Sequence, residues 1–223
     1  MREKLSIIHR SLIIKKEVAF SSCSIITWLF LSIRSGVKRL KSKEINRHFQ
    51  QLKKQREIFY NDCSLDFKHA WRRPLPDKWS IGETLYHLVL LVRLFRRFSV
   101  LYIPVMLPIA HLRKKKPYQS EIHNIYKEYK EKKKRSMSAP SLLVPPKDLK
   151  KDYRFKDVQE LLEEETKKLM DVIESMEENV AGHIRYPDPI AYYPNLIQSI
   201  HLLAIHEQHH FDLVKKYELL QLQ

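Results

Sequence analysis

Trp79-Ser80-Ile81-Gly82-Glu83-Thr84-Leu85-Tyr86-His87 reads as the start of a helix, and the apolar positions after it say which way that helix faces. Ser80 and Glu83 have the spacing of a capping box: the Ser80 hydroxyl accepts from the Glu83 amide while the Glu83 carboxylate accepts from the Ser80 amide. At about 100° per residue, Ser80, Glu83, Thr84, His87, Leu91, Leu94 and Phe98 fall on one side, so His87 points inward. A second inward stripe is expected near the C-terminus. There Pro194 suits a first helical turn, and on a helix over Asn195 to Leu220 the residues Ser199, Leu202, Leu203, His206, His210, Leu213 and Tyr217 share a face.

His206 and His210, four apart, bring two imidazoles to one face about a turn apart, the reach a single divalent ion requires. With His87 arriving from another helix, the three look like a facial three-histidine metal site that keeps a position open for water or substrate. With eleven histidines in the chain, chance also supplies such pairs. Each could instead be a buried imidazole bonded to a carbonyl, or a pH-sensitive packing residue. His206-Glu-Gln-His-His210 also fits the H-E-x-x-H pattern of zinc proteases, with Glu207 as the general base. The extended protease form needs glycine at 213 and histidine at 216, where this chain has Leu213 and Lys216. Glu207 is therefore read as exposed or as a partner of a ligand, His209 as a partner of a ligand or as lining a pocket, and His201 as surface. Glu83 is within reach of an imidazole, although its capping role already accounts for it.

Only 3 glycines in 223 residues argue for helices, and the 11 prolines then act as punctuation, all but Pro117 clustering at 74–76, 104–108, 140–146 and 187–194. An amphipathic helix is expected from Lys41 to Asp62 and another from Lys156 to Glu177. The helix begun at Ser80 is expected to carry on through the apolar stretch Phe98 to Leu112 with a kink. A surface helix is expected over 119–136, an extended link through Pro145-Pro146, and an irregular connection from Val180 to Tyr193. The reading is an all-α fold whose four main helices form an antiparallel bundle, a common place for a metal site.

The formal charge of +15 is unevenly spread: residues 1–56 hold 14 Lys/Arg against 3 Asp/Glu, and the remainder is close to balanced. No helix-turn-helix, RNA-binding or zinc-finger pattern accompanies it, which argues against a nucleic-acid partner. The basic run from Arg113 through Lys116 to Lys132-Lys-Lys-Arg135, in a connecting region, reads as solvated surface. Cys23 and Cys63 are too few for a disulfide framework and too far apart for a metal knuckle; both read as buried or incidental thiols in a reducing cytoplasm. Residues 1–40 stand apart as a basic and apolar extension. Val18 to Ile33 is uncharged but short for a membrane span and contains four serines and a threonine. Three readings stay open for it: translated upstream sequence without function, an amphipathic segment that touches a membrane through residues 1–43, or a cleaved signal.

Pro76-Asp-Lys-Trp79-Ser80-Ile-Gly-Glu83-Thr-Leu-Tyr-His87-Leu, a long middle, and then Pro194 and His201-Leu-Leu-Ala-Ile-His206-Glu-Gln-His-His210-Phe resemble the DinB/YfiT-like superfamily over about residues 40 to 222. The resemblance implies a DinB-like four-helix bundle over residues 41–223 with a long crossover, often dimeric, that holds a divalent ion such as zinc or nickel. It places the ligands on His87, His206 and His210. Members include S-transferases that use bacillithiol, mycothiol or glutathione, related isomerases, and proteins assigned as metal-dependent hydrolases. A small-molecule substrate, with a low-molecular-weight thiol as cosubstrate, is the implied partner, and a homodimer the implied assembly. No catalytic residue beyond the ligands is assigned. The rival class is a non-enzymatic, metal-stabilised bundle acting as a binding or stress-related protein.

Overall fold

Ser42 begins the first long helix by accepting from the Ile45 amide at 3.2 Å, which satisfies a donor that the first turn otherwise leaves bare. In the computed structural model this helix, α1, runs Lys43–Tyr60. Three further long helices follow: α2 over Ile81–Arg113, α3 over Phe155–Ile173 and α4 over Leu196–Gln221. The structure describes residues 40–122, 124, 125, 128 and 139–221. Among them there is no strand, only an isolated bridge between Arg185 and Asn195. The all-α expectation holds. The calls on residues 1–40, all but Leu40, and most of the helix expected over 119–136 fall outside the described residues.

The capping box forms as expected, with Ser80 Oγ accepting from Glu83 N–H at 3.2 Å and Glu83 accepting from Ser80 N–H at 2.8 Å. Arg73 takes up the rest of that carboxylate, so Glu83 anchors the start of α2 and does not serve an imidazole. Gly82 is required there, because a Cβ at that position would lie 2.7 Å from the Trp71 ring. From this start α2 continues as one helix of 33 residues, with Pro104 and Pro108 inside it. The expected irregular and extended links contain one-turn helices, Ser141–Leu143, Leu149–Asp152 and Glu178–Ala181.

Apolar burial pairs the long helices, chiefly α2 with α3 and α1 with α4. On α3, Val158, Leu162, Leu169 and Ile173 are buried at helical spacing, and on α4 Ala204, Phe211 and Val214. The Phe211 ring stacks on Phe59 of α1 with centroids 3.9 Å apart. From Leu40 the chain forms one compact unit. Among the described residues no helix is long and apolar enough to cross a membrane.

Two charged clusters lock this packing. Glu165 of α3 accepts from Arg93 at 3.1 Å and from Arg96 at 2.9 Å, both on α2. Deeper, Arg56 of α1 donates to both Glu207 oxygens at 2.9 to 3.1 Å and to the Thr166 hydroxyl at 3.0 Å, with Glu163 at 3.1 Å beyond. Arg56 and Glu207 are each 2 % exposed. Glu207 is thus neither exposed nor directed at an imidazole. Burial pushes its carboxyl upward, and the adjacent guanidinium opposes that shift. His201 is a second correction: it is half-buried and stacks on the buried His48 of α1 with centroids 4.3 Å apart. Of the two alternatives for Cys63, exposure leaves the incidental thiol.

Arg56→Met is expected to cost about 3–5 kcal/mol, because it strands a buried carboxylate, whereas Arg56→Met with Glu207→Leu recovers most of the loss. Urea unfolding of the two variants checks this, and equal loss in both would contradict it. A pH effect follows from His48, whose pKa is lowered from 6.5 to about 4, first by burial and then by His201 and Arg47, with Glu121 opposing. The unfolded imidazole takes a proton first, so stability falls as the pH drops from 6.5 toward about 4. His48→Phe should flatten part of that slope in melting experiments, and an unchanged slope would count against the assignment.

Candidate metal centre

His87 lies two turns into α2, and its position follows from the capping box that starts the helix. His206 and His210 lie one turn apart on α4, roughly 100° and 60° around the helix from Glu207. The three imidazoles converge, each offering one nitrogen, and these atoms all lie within 4.8 Å of one another. Ring centroids are 5.1 Å apart for His87 and His206, and 4.6 Å for each of the other two pairs. Three such side chains can hold a metal ion.

The protonation of His87 follows from its partners. Its Nδ1 lies 2.7 Å from the Leu143 carbonyl oxygen, and a carbonyl can only accept, so Nδ1 carries the proton and the lone pair sits on Nε2. That lone pair points at His206, whose Nε2 is 2.9 Å away. Two nitrogens bound ~2.0–2.1 Å from one tetrahedral ion sit roughly 3.3 Å apart, so a few tenths of an ångström of adjustment suits the pair to a shared ion. The arrangement also matches a familiar support for ligating histidines, in which the second ring nitrogen donates to a backbone carbonyl and fixes the tautomer.

The surroundings keep all three rings neutral. Burial lowers the His206 pKa to about 3, with His87 and His209 adding to the shift. Burial likewise lowers His210 well below its ordinary value, and His87 below its own. A neutral imidazole is the form that ligates a metal. Trp79 packs against His87 with centroids 4.9 Å apart and lies 6.3 Å from His210, which shields this side from water.

The histidines lie on the wall of a cavity of about 600 Å³. The expected stripe of α2 continues along it as Leu91, Leu94 and Phe98, and that of α4 as Ser199, Leu202, Leu203 and Leu213. His209 also lines the cavity and packs edge-on against His210, as its helical phase predicts. The loop over 186–194 closes another side. Tyr192 and Tyr193 there adopt φ of 57° and 56°, a conformation costly for residues with a Cβ. It is held by Tyr193 N–H donating to the Asp188 carbonyl at 2.7 Å and by the Asp188 carboxylate accepting from the Ile190 and Ala191 amides.

A family model of the DinB superfamily matches residues 66–214. The chain belongs to the DinB superfamily. The match contains all three histidines, Trp79 and the capping box, and begins after α1. No curated protein matches the chain, and no solved structure does. In this DinB-superfamily chain, two contributors to the centre carry no mark in the sequence. The Leu143 carbonyl is a backbone group with no side-chain signature. Arg56, which pairs with Glu207 and so sets the rotation of α4, lies 151 positions from it.

Proposed function

We propose that His87, His206 and His210 hold one divalent ion, zinc or nickel, and that the protein is a metal-dependent enzyme acting on a small, largely apolar molecule by thiol S-transfer or hydrolysis. The observation that carries this reading is the convergence of three neutral imidazoles, His87 buried and His206 and His210 half-buried, on the wall of an open apolar cavity. Imidazole donors suit zinc and nickel. A structural zinc site is closed by four protein ligands, whereas three ligands beside a cavity leave room for a reactant. That contrast favours the enzyme over a bundle that holds an ion only for stability.

A divalent ion held there would lower the pKa of a thiol or water entering the cavity. The chain's own residues do the rest. Leu91, Phe95 and Leu203 exclude bulk water and receive the apolar part of the substrate. His209, which lines the cavity beside His210, is the group we propose to take the proton that leaves the incoming thiol or water. Among the described residues no cysteine lines the cavity, Cys63 being exposed, and the thiol is taken to come from a separate small molecule. In the transfer reaction the S–H bond breaks, a sulfur–carbon bond forms, and the leaving group departs from that carbon.

Melting temperatures with and without metal test the premise. In metal-free protein His206→Leu should leave the melting temperature unchanged or raise it, since it removes an imidazole buried at a cost. With zinc in excess, the unaltered protein should gain several degrees and the variant should not, because stabilisation by a ligand requires binding to the native state. Equal response to zinc in both proteins would overturn the ligand assignment. A screen with bacillithiol, mycothiol and glutathione against small electrophiles then separates transfer from hydrolysis.

A further inference from the structure

The second half of α2 faces outward with the wrong chemistry for water. A surface helix ordinarily presents polar residues to solvent. Here Leu101 is 76 % exposed, Val105 69 % and Leu112 86 %, with Val100, Ile109 and the two prolines also outward. The buried side is Ser99, Ile103 and Ala110. The exposed apolar face runs from Phe98 to Leu112, ~22 Å at 1.5 Å per residue. A contiguous patch of this kind marks a docking surface.

The charges around this face select its partner. Between Glu83 and Glu121 the sequence contains no acidic residue, but it contains Arg93, Arg96, Arg97 and the run Arg113-Lys114-Lys115-Lys116. Glu165 engages Arg93 and Arg96, whereas Arg97 and all four residues of the run are exposed. A second copy packed face to face, in either direction, would set cations against cations. A partner both apolar and anionic complements the face. We infer that the outer face of α2, from Arg97 to Lys116, docks in the plane of an anionic lipid surface, with Leu101, Val105 and Leu112 entering the headgroup layer and the Arg113–Lys116 run meeting lipid phosphates. The combination of a long apolar face and flanking cations is the chemistry of interfacial helices. Leu94 and Phe98 belong both to α2's exposed side and to the cavity wall. A molecule dissolved in the membrane would therefore reach the cavity with little passage through water. That corollary rests on the cavity being the reaction site, whereas the docking itself does not.

Co-sedimentation of the full chain with vesicles tests the docking. Binding is expected to equal mixtures of phosphatidylglycerol and phosphatidylcholine, much less to phosphatidylcholine alone, with the bound fraction falling as salt rises. Leu101→Glu, Val105→Glu and Leu112→Glu together should lower binding by roughly tenfold or more, with the melting temperature reporting that the variant is folded. Lys114→Ala, Lys115→Ala and Lys116→Ala together should weaken binding to phosphatidylglycerol vesicles and flatten the salt dependence. Should the triple glutamate variant not fold, Leu112→Trp provides the readout, its added emission shifting to the blue on vesicle addition. Failure of the unaltered chain to bind, unchanged binding in both triple variants, no shift from Leu112→Trp, or a dimer that the glutamates split without any lipid binding would each overturn the proposal.

Discussion

Glu207 sits where a carboxylate cannot be hydrated, and Arg56 makes that burial tolerable. A charge removed from water is costly unless it is paired and its hydrogen bonds are met. The guanidinium does both, reaching two carboxylate oxygens and the Thr166 hydroxyl at once. Because Glu207 follows His206 directly, satisfying one residue fixes the direction of the other. With Glu207 turned toward α1, His206 and His210 must face α2. The Phe59–Phe211 stack sits on the same side as the ion pair and holds α4 in the same rotation.

This constraint gives the histidine cluster its character. Three imidazoles in an apolar environment resist protonation, and the low-dielectric cavity that causes this would also strengthen any electrostatic effect on a bound reactant. His87 adds a fixed tautomer through the Leu143 carbonyl. The metal-ligand reading therefore rests on direction, protonation and convergence together. The protease reading fails on the same ground, since a carboxylate tied up with Arg56 cannot serve as a general base at the histidines.

What was legible in the sequence was what local periodicity dictates. The capping box at Ser80 and Glu83 set the phase of α2, and that phase turned His87 inward and Leu91, Leu94 and Phe98 toward the cavity. The same counting placed His206, His209, His210 and Leu213 on α4. Counting failed where a partner was remote. His201 read as surface because nothing nearby in sequence announces His48, and Glu207 read as exposed or as a partner of a ligand because Arg56 is on another helix. The apolar stretch after Phe98 read as a continuing helix, as it is, but periodicity did not reveal that its apolar side faces outward.

X-ray absorption at the metal edge of the zinc- or nickel-loaded protein addresses the central claim most directly. For zinc, three imidazole nitrogens at ~2.0–2.1 Å with the multiple-scattering pattern of histidine, and one further light-atom neighbour, are the predicted first shell. Sulfur ligands, a shell made only of oxygens, or the same imidazole signature in His87→Ala would contradict the account.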